Sequence, residues 1–275
     1  MDVLAFGEIL WDVIDGEAHL GGAPFNFAAH AARCGLDSAI VSTVGDDDLG
    51  RRALSEAARL GVGTAFVSVV GSLPTGTVLV TLENGMPSYD IVHPVAWDEI
   101  AAPPAIGSLA APRALYFGTL AQRSETSAKT LRALLDAFPS SLAFFDVNLR
   151  QSFWSDELVR KGIARADVLK VNDEEMAVLH LTFDGLFGDF PRLSTVVETL
   201  GARGCRVASR DGRLFERPAV PDGPVVDTVG AGDSFSAAFL ATLLNGGSLE
   251  AAAEAGNRLA GKVAARAGAL PADIV

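Results

Sequence analysis

The chain reads as an α/β protein: a mostly parallel sheet covered by helices on both faces, with a small antiparallel flap attached. Three observations predict this. Short β-branched and apolar runs recur along the sequence, helical patterns lie between many of them, and one pair of runs is joined by an Asn84-Gly85 turn signal instead of a helix. With 275 residues, one main domain with a minor appendage is expected.

The strand candidates, in order, are Val3 to Leu10, Ala39 to Val44, Ala65 to Val70, Thr77 to Leu82, Ala114 to Phe117, Ala143 to Val147, Val168 to Val171 and Thr195 to Thr199. Each is short and rich in side chains that fit a buried pleated surface. Leu131, Leu134, Leu135 and Phe138 fall at i, i+3, i+4 and i+7, which predicts a helix capped at Ser127. The stretch from Pro74 to Trp97 departs from the alternation: Thr77 to Leu82, then Asn84-Gly85, then Tyr89 to His93 predicts a hairpin. A hairpin would interrupt a parallel sheet, so it belongs in a flap, joined by Trp11 to Leu20. Such a flap either closes over a ligand or caps a sheet edge. Near the C-terminus, Phe235, Ala238, Phe239 and Leu243 share one helical face that ends at Asn245-Gly246-Gly247. A second helix runs from Ser248 to about Arg266.

Composition removes whole classes of function. A net charge of −12 argues against an extended nucleic-acid or anionic-membrane surface, because both need a basic stripe. Hydrophobic residues at 49% and charged residues at 20% are globular values, not those of disorder. Cys34 and Cys205 belong to no metal or redox pattern, and His19, His30, His93 and His180 show no metal spacing. No apolar run reaches the roughly 18 residues of a membrane span, and no basic leader precedes the Val3 run. A soluble protein of the reducing cytoplasm is expected.

Chemistry concentrates in Asp227-Thr228-Val229-Gly230-Ala231-Gly232-Asp233-Ser234-Phe235, a small-residue turn at the start of a helix. Unpaired first-turn amides at the positive end of the helix dipole make an anion cradle. Asp233 in that turn could accept a hydroxyl proton beside a bound phosphoryl group, or it could simply stabilise a helix start. In Gly21-Gly22-Ala23-Pro24-Phe25-Asn26-Phe27-Ala28, the glycines admit a ligand to the backbone and Pro24 suits a first helical turn. Asn26 can both donate to and accept from a diol. Asp12 ends the first strand region, where open α/β sheets bind ligands, although a solvated acid would look the same. Asn172-Asp173-Glu174-Glu175 spells a capping box as well as a possible magnesium site. Gly256 to Val263 imitates a P-loop but lacks its Ser or Thr and lies within a predicted helix. No G-x-G-x-x-G follows the first strand, so dinucleotide binding is unsupported.

Asp227 to Asp233 resembles the C-terminal signature of the ribokinase-like (pfkB) carbohydrate kinases. Gly21 to Ala28, with Gly35 and Gly45 following, is similar to their N-terminal signature. Two long motifs about 200 residues apart, in the right order, reinforce each other. Within the family the wording is closest to fructokinases: Gly7-Glu8-Ile9-Leu10-Trp11-Asp12, Ala96-Trp97-Asp98 and Asp146-Val147-Asn148-Leu149-Arg150. The resemblance implies a ribokinase-like three-layer α/β/α sandwich, a single kinase domain over residues 1–275 with a β-lid formed by about 11–20 and 74–97. It implies ATP-dependent transfer of the γ-phosphoryl group to a primary hydroxyl of a small sugar, most closely fructose, with Mg²⁺ and K⁺, and a homodimer formed through the lid.

Carried over residue by residue, the resemblance makes Asp233 the base and Gly230, Ala231 and Gly232 the cradle. Asp12, Gly21, Gly22 and Asn26 would bind sugar hydroxyls, Tyr89 on the flap would cover the sugar, and Arg123 or Arg150 could meet the carboxylate of a keto-sugar acid. Arg150, Asn172, Thr199, Gly201, Gly204 and Asn257 would serve the nucleotide. Glu175 would reach Mg²⁺ through water, and Asp227 and Thr228 would hold the monovalent cation. Between Leu181 and Leu193 the segment is shorter than the family pattern, so a surface helix is expected to be missing there. Three enzymatic alternatives stay open: 2-keto-3-deoxygluconate kinase, ribokinase, and a nucleoside kinase that would use Phe25, Phe27 and Tyr89 as stacking surfaces. A non-catalytic sugar or nucleotide sensor would keep the binding motifs without needing the base.

Overall fold

The computed structural model describes residues 1–14, 16–83, 86–104, 106 and 110–274, with residues 14, 80–83 and 86–89 described by backbone alone. The strands are β1 (Val3–Phe6), β2 (Leu10–Ile14), β3 (Glu17–Gly21), β4 (Ser38–Gly45), β5 (Gly63–Val70), β6 (Gly76–Glu83), β7 (Met86–Ile91), β8 (Ala114–Phe117), β9 (Leu142–Asp146), β10 (Val168–Asn172), β11 (Thr195–Thr199), β12 (Cys205–Ser209) and β13 (Leu214–Arg217). The helices are α1 (Ala23–Arg33), α2 (Asp48–Arg59), α3 (Glu125–Ala137), α4 (Asp156–Ile163), α5 (Asp173–Val178), α6 (Phe183–Asp189), α7 (Ala231–Leu244) and α8 (Leu249–Ala264).

Nine strands form the main sheet in the order β13-β12-β11-β10-β9-β8-β1-β4-β5. All neighbours are parallel from β11 to β5, with Val3 of β1 level with Ser38 of β4 and Ala114 of β8. Side chains of a strand point alternately to opposite faces, so a buried parallel strand must serve two cores. β1 does so: Leu4 and Phe6 pack with Leu131 and Leu134 of α3, Val159 and Ile163 of α4 and Leu186 of α6. Val3 and Ala5 belong to the other core, with Phe25 of α1, Ala53 of α2, Phe239 of α7 and Ala252 of α8. Each fully buried Leu or Phe here contributes about 1.5–3 kcal/mol, and the two cores fix the three-layer α/β/α architecture.

Four expectations need correction. The Val3 to Leu10 run is two strands in two sheets, because the chain turns at Gly7, with φ 145°, where a side chain would press on Pro24. The helix predicted to be capped at Ser127 starts at Glu125 after Ser124. Ser127 is buried, its hydroxyl donating to the Trp97 carbonyl (2.9 Å) and accepting from the Ile100 amide (3.0 Å). The flap is not wholly antiparallel: β3-β2-β6-β7 form a second sheet in which β2 and β6 run parallel, Leu10 level with Gly76. Residues 181–193 do carry a helix, the short α6, capped by the Thr182 hydroxyl on the Gly185 amide.

The antiparallel pair β12 and β13 was not read from sequence. β13 is a partly exposed edge strand, so its pattern carries little apolar signal. Asn84 and Gly85 lie outside the described residues, while Glu83 and Met86 on either side are paired across the hairpin. Among the described residues no helix is long and apolar enough to cross a membrane.

Candidate active site

The carboxyl ends of β1, β8, β9 and β10 gather where the N-termini of α1 and α7 converge, the edge at which open α/β sheets place their ligands. α7 starts at Gly230, held at φ 76°, where a side chain would stand 2.7 Å from Ala269. Only glycine fits both the backbone and the space. No side chain caps the helix, and the first helical bond is from the Ser234 amide to the Gly230 carbonyl (2.9 Å). The amides of Gly232 and Asp233 precede that bond, so they stand at the positive end of the dipole.

α1 enters the same point through Gly22, at φ 107°, where a side chain would lie 2.5 Å from the Glu8 carbonyl oxygen. One turn into α1, the Asn26 side-chain amide donates to Asp233 Oδ2 at 2.9 Å, joining the two sequence motifs across 207 positions. Asn26 is buried, and its carbonyl oxygen Oδ1 has no partner among the described residues. An orphaned buried acceptor is costly unless a ligand hydroxyl meets it. Asp12 and Gly21 also come together: a side chain on Gly21 would stand 2.7 Å from the Asp12 carboxylate.

Desolvation first, and the neighbouring Asp146 second, push the Asp233 carboxyl up from 3.8 to about 6. The Asn26 hydrogen bond, Lys170 and Arg150 pull the other way. Such a group is ionised at neutral pH yet more proton-hungry than a surface aspartate, which suits a general base. Glu8, at the end of β1, is raised to about 7 chiefly by burial, with Asp233 adding to the rise, against backbone hydrogen bonds and Arg150. Burial also raises Asp12, against Arg150 and His19. Arg150 is exposed at the rim, and its charge reaches all three carboxyls.

Beneath Asp233 lies a polar floor. Asp146 of β9 accepts from Tyr116 Oη of β8 (3.0 Å), Ser236 Oγ of α7 (3.2 Å) and Lys170 Nζ of β10 (3.0 Å). Sequence reasoning did not assign roles to Glu8, Tyr116, Lys170 or Ser236. The available signal was a lysine inside the apolar strand Val168-Leu169-Lys170-Val171.

The remaining candidates divide. Glu175 completes the capping box: its Oε2 accepts from the Asn172 amide (2.9 Å), Asn172 Oδ1 accepts from the Glu175 amide (2.7 Å), and Glu175 Oε1 accepts from the Leu149 amide (2.8 Å). Asp227 bridges two loops, accepting from the Val229 amide (3.0 Å) and the Gly268 amide (2.9 Å), while the Thr228 carbonyl accepts from the Ala231 amide (3.2 Å). Thr199 lies at the end of β11, its hydroxyl on the Val171 carbonyl (3.4 Å). Gly201 and Gly204 form the following turn, at φ 56° and 97°. Asn257 is buried and donates to the carbonyls of Arg217 and Pro218 (both 3.1 Å) and to Cys205 Sγ, so its amide ties α8 to β12 and β13. Arg123 is likewise engaged: it grips both Asp98 oxygens at 2.7 and 2.9 Å and stacks 3.8 Å over Trp97. The side chain of Tyr89, on β7, lies outside the described residues. A cavity of about 400 Å³ lined by Trp11, His19, Leu20, Arg52 and Leu270 does not include Asp233.

A doubly covered parallel sheet with an uncapped, glycine-turned helix start and a proton-hungry carboxylate is an α/β frame suited to holding an anion beside a general base. The chain belongs to the pfkB family of carbohydrate kinases, whose family model matches residues 2–273, and it is a sugar kinase of that family. It is 31% identical to a fructokinase of Klebsiella pneumoniae over 260 residues, covering 88% of this chain and 84% of that protein. It is 30% identical to a sugar kinase of Pyrococcus horikoshii over 261 residues, 88% of this chain and 82% of that protein. A crystal structure of a Pyrococcus horikoshii sugar kinase in complex with ATP matches with a TM-score of 0.84 at 26% identity, covering 97% of this chain and 93% of that one.

Proposed function

We propose that the chain transfers the γ-phosphoryl group of ATP to a primary hydroxyl of a small sugar, with fructose as the acceptor. The observation that carries this reading is the Asn26–Asp233 hydrogen bond, which brings a diol-binding amide and a base of pKa about 6 together at the mouth of the amide cradle. Asp233 takes the hydroxyl proton as the oxygen attacks. The amides of Gly232 and Asp233, in the turn that Gly230 and Ala231 form, stabilise the charge that gathers on the phosphoryl oxygens, and Arg150 at the rim pairs with a nucleotide phosphate. Asp12, Gly21, Gly22 and the free Oδ1 of Asn26 orient the sugar. The sheet formed by β2, β3, β6 and β7 acts as a lid on a single kinase domain, and closure excludes water.

Both Glu175 oxygens already accept backbone hydrogen bonds, and among the described residues no cluster of three acidic, His or Cys groups could enclose a metal. This fits Mg²⁺ carried by the phosphates and reached from Glu175 through water, where it would neutralise phosphate charge. Asp227, which ties two loops together through the Val229 and Gly268 amides, and Thr228 would hold a monovalent cation such as K⁺, which would help to shape the cradle. The nucleotide would lie along Asn172, Thr199, Gly201 and Gly204.

Two features favour a sugar over the other acceptors. Phe25 and Phe27 are fully buried, and Phe27 stacks 3.7 Å on Tyr116, so neither offers a nucleobase a face. Arg123 is paired with Asp98, which engages one of the two cations that could meet the carboxylate of a keto-sugar acid and leaves Arg150 as the other. We further propose a cytoplasmic enzyme that dimerises through the lid edges β3 and β7; a monomer in light scattering at assay concentration would remove the dimer. ADP release with Mg²⁺-ATP and K⁺ should be fastest with fructose when fructose, ribose, 2-keto-3-deoxygluconate and adenosine are compared. Preference for another acceptor would overturn the sugar assignment and keep the chemistry. Silence on all four would favour a sensor.

A further inference from the structure

Lys170 is buried in the middle of the main sheet, on a strand that faces the start of α7. Among the described residues its ammonium has one hydrogen-bond partner, Asp146 Oδ1 at 3.0 Å. A Cβ placed on Gly232 would stand 3.2 Å from Lys170 Nζ, so the ammonium lies directly under the cradle turn. Two of its three N–H donors are left over after the bond to Asp146, in a place where burying a cation is expensive. The carboxylates around it exceed what one lysine can balance: Asp146 beside it, Asp233 above and Glu175 nearby. Burial works against the ammonium, but these carboxylates hold it above the ordinary lysine value, so it stays charged.

We infer that Lys170 is a positioning residue for phosphoryl transfer: clamped by Asp146, its ammonium is a fixed positive floor beneath the Gly230–Asp233 amides, complementing the negative charge that gathers above them in the transition state. The inference rests on the kinase reading. Its physical basis is preorganisation: a cation already desolvated and held needs no reorganisation when charge develops, and the low-dielectric surroundings lengthen its reach. A side chain at 232 would press on the ammonium, which would have to give by a few tenths of an ångström.

The test compares wild type, K170R, K170M and D146N/K170M by steady-state kinetics, thermal melting and the acid limb of kcat/KM. K170M should lower kcat roughly 10- to 100-fold, less than the 10²- to 10³-fold typical of a donor that touches the oxyanion, with KM for ATP little changed. K170R should recover part of the rate. K170M also strands the Asp146 carboxylate, so D146N/K170M, which removes both charges, is the folding control; it should regain melting temperature and not kcat.

The groups facing Asp233 are Glu8 from β1, Asn26 from α1, Tyr116 from β8, Asp146 from β9, Arg150 after β9 and Lys170 from β10. Loss of Lys170 removes one that favours the ionised base, so the acid limb should move to higher pH in K170M and back in the double variant. Recovery of both stability and kcat in the double variant, or a K170M enzyme as fast as wild type, would overturn the inference. If wild type itself transfers phosphate to no sugar, the kinase reading fails instead, whatever these variants do.

Discussion

Two clusters of buried charge are built on opposite principles. Under the small sheet, Arg123 and Asp98 pair through two short hydrogen bonds, with side chains only 3% and 6% exposed. The guanidinium is sandwiched between Trp97 and Phe153, and Asp98 also accepts from the Val95 amide. One cation meets one anion, and aromatic rings pack on the guanidinium, whose Nη1 alone has no partner among the described residues. At the start of α7, Lys170 faces Asp146, Asp233 and Glu175, and Glu8 lies close to Asp233 with Arg150 at the rim. There the carboxyl groups outnumber the cations, and burial and mutual repulsion raise the pKa of Asp233 and Glu8. A balanced buried pair holds structure. An unbalanced one stores a preference for protons or cations, which is what a site for transferring a phosphoryl group requires.

The comparison breaks most directly at Asp233. D233A should lower turnover by about 10²- to 10⁴-fold while ATP binding and melting temperature survive, as measured by coupled ADP release and calorimetry. Retained turnover would remove the base. At the balanced cluster the signs reverse. R123M strands the Asp98 carboxylate, and urea unfolding should show a loss of about 3–5 kcal/mol with turnover per folded molecule retained. A drop in turnover without loss of stability would move Arg123 into the sugar site.

A smaller effect separates the clusters by pH. Folded Asp233 holds its proton up to about 6, whereas an unfolded one releases it near 3.8, so between those values the native state binds more protons and stability falls as pH rises. D233N removes that penalty. It should be more stable than wild type by about 1–3 kcal/mol at neutral pH, allowing for the screening of a half-buried group, and the advantage should vanish near pH 4. Equal melting temperatures at neutral pH would show that Asp233 is not strained. The smallest shift belongs to Asn26. Its hydrogen bond favours ionised Asp233, so N26A should raise the acid limb of kcat/KM, near pH 6 in wild type, by up to about one unit.

Much of the site was legible in the sequence because its signals are local. The positive φ of Gly22 and Gly230, Pro24 in a first turn, the capping box of Asn172 and Glu175 and the helix face of Phe235 and Phe239 are each decided within a few residues. Arg123 and Asn257 show where that reading stops. Each has the chemistry of a ligand contact, but Arg123 meets Asp98 across 25 positions and Asn257 meets Arg217 across 40, and protein groups take the hydrogen bonds of the Asn257 amide and of Arg123 Nε and Nη2. Lys170 and Glu8 are the converse: given no role in the sequence reading, they stand beside Asp233 because β10, β9, β8 and β1 are neighbours in the sheet.

By itself, then, the sequence determined the α/β class, the two glycine-started helices and, through two long motifs, the carbohydrate kinase family. Only the tertiary structure decided that Asn26 would hold Asp233, that Arg123 would be neutralised, and that Lys170 would lie under the cradle. Backbone conformation and helix capping depend on neighbours along the chain. The energy of a buried charge depends on every charge within a few ångströms and on how much water is excluded, and only the packing of helices on the sheet sets those quantities.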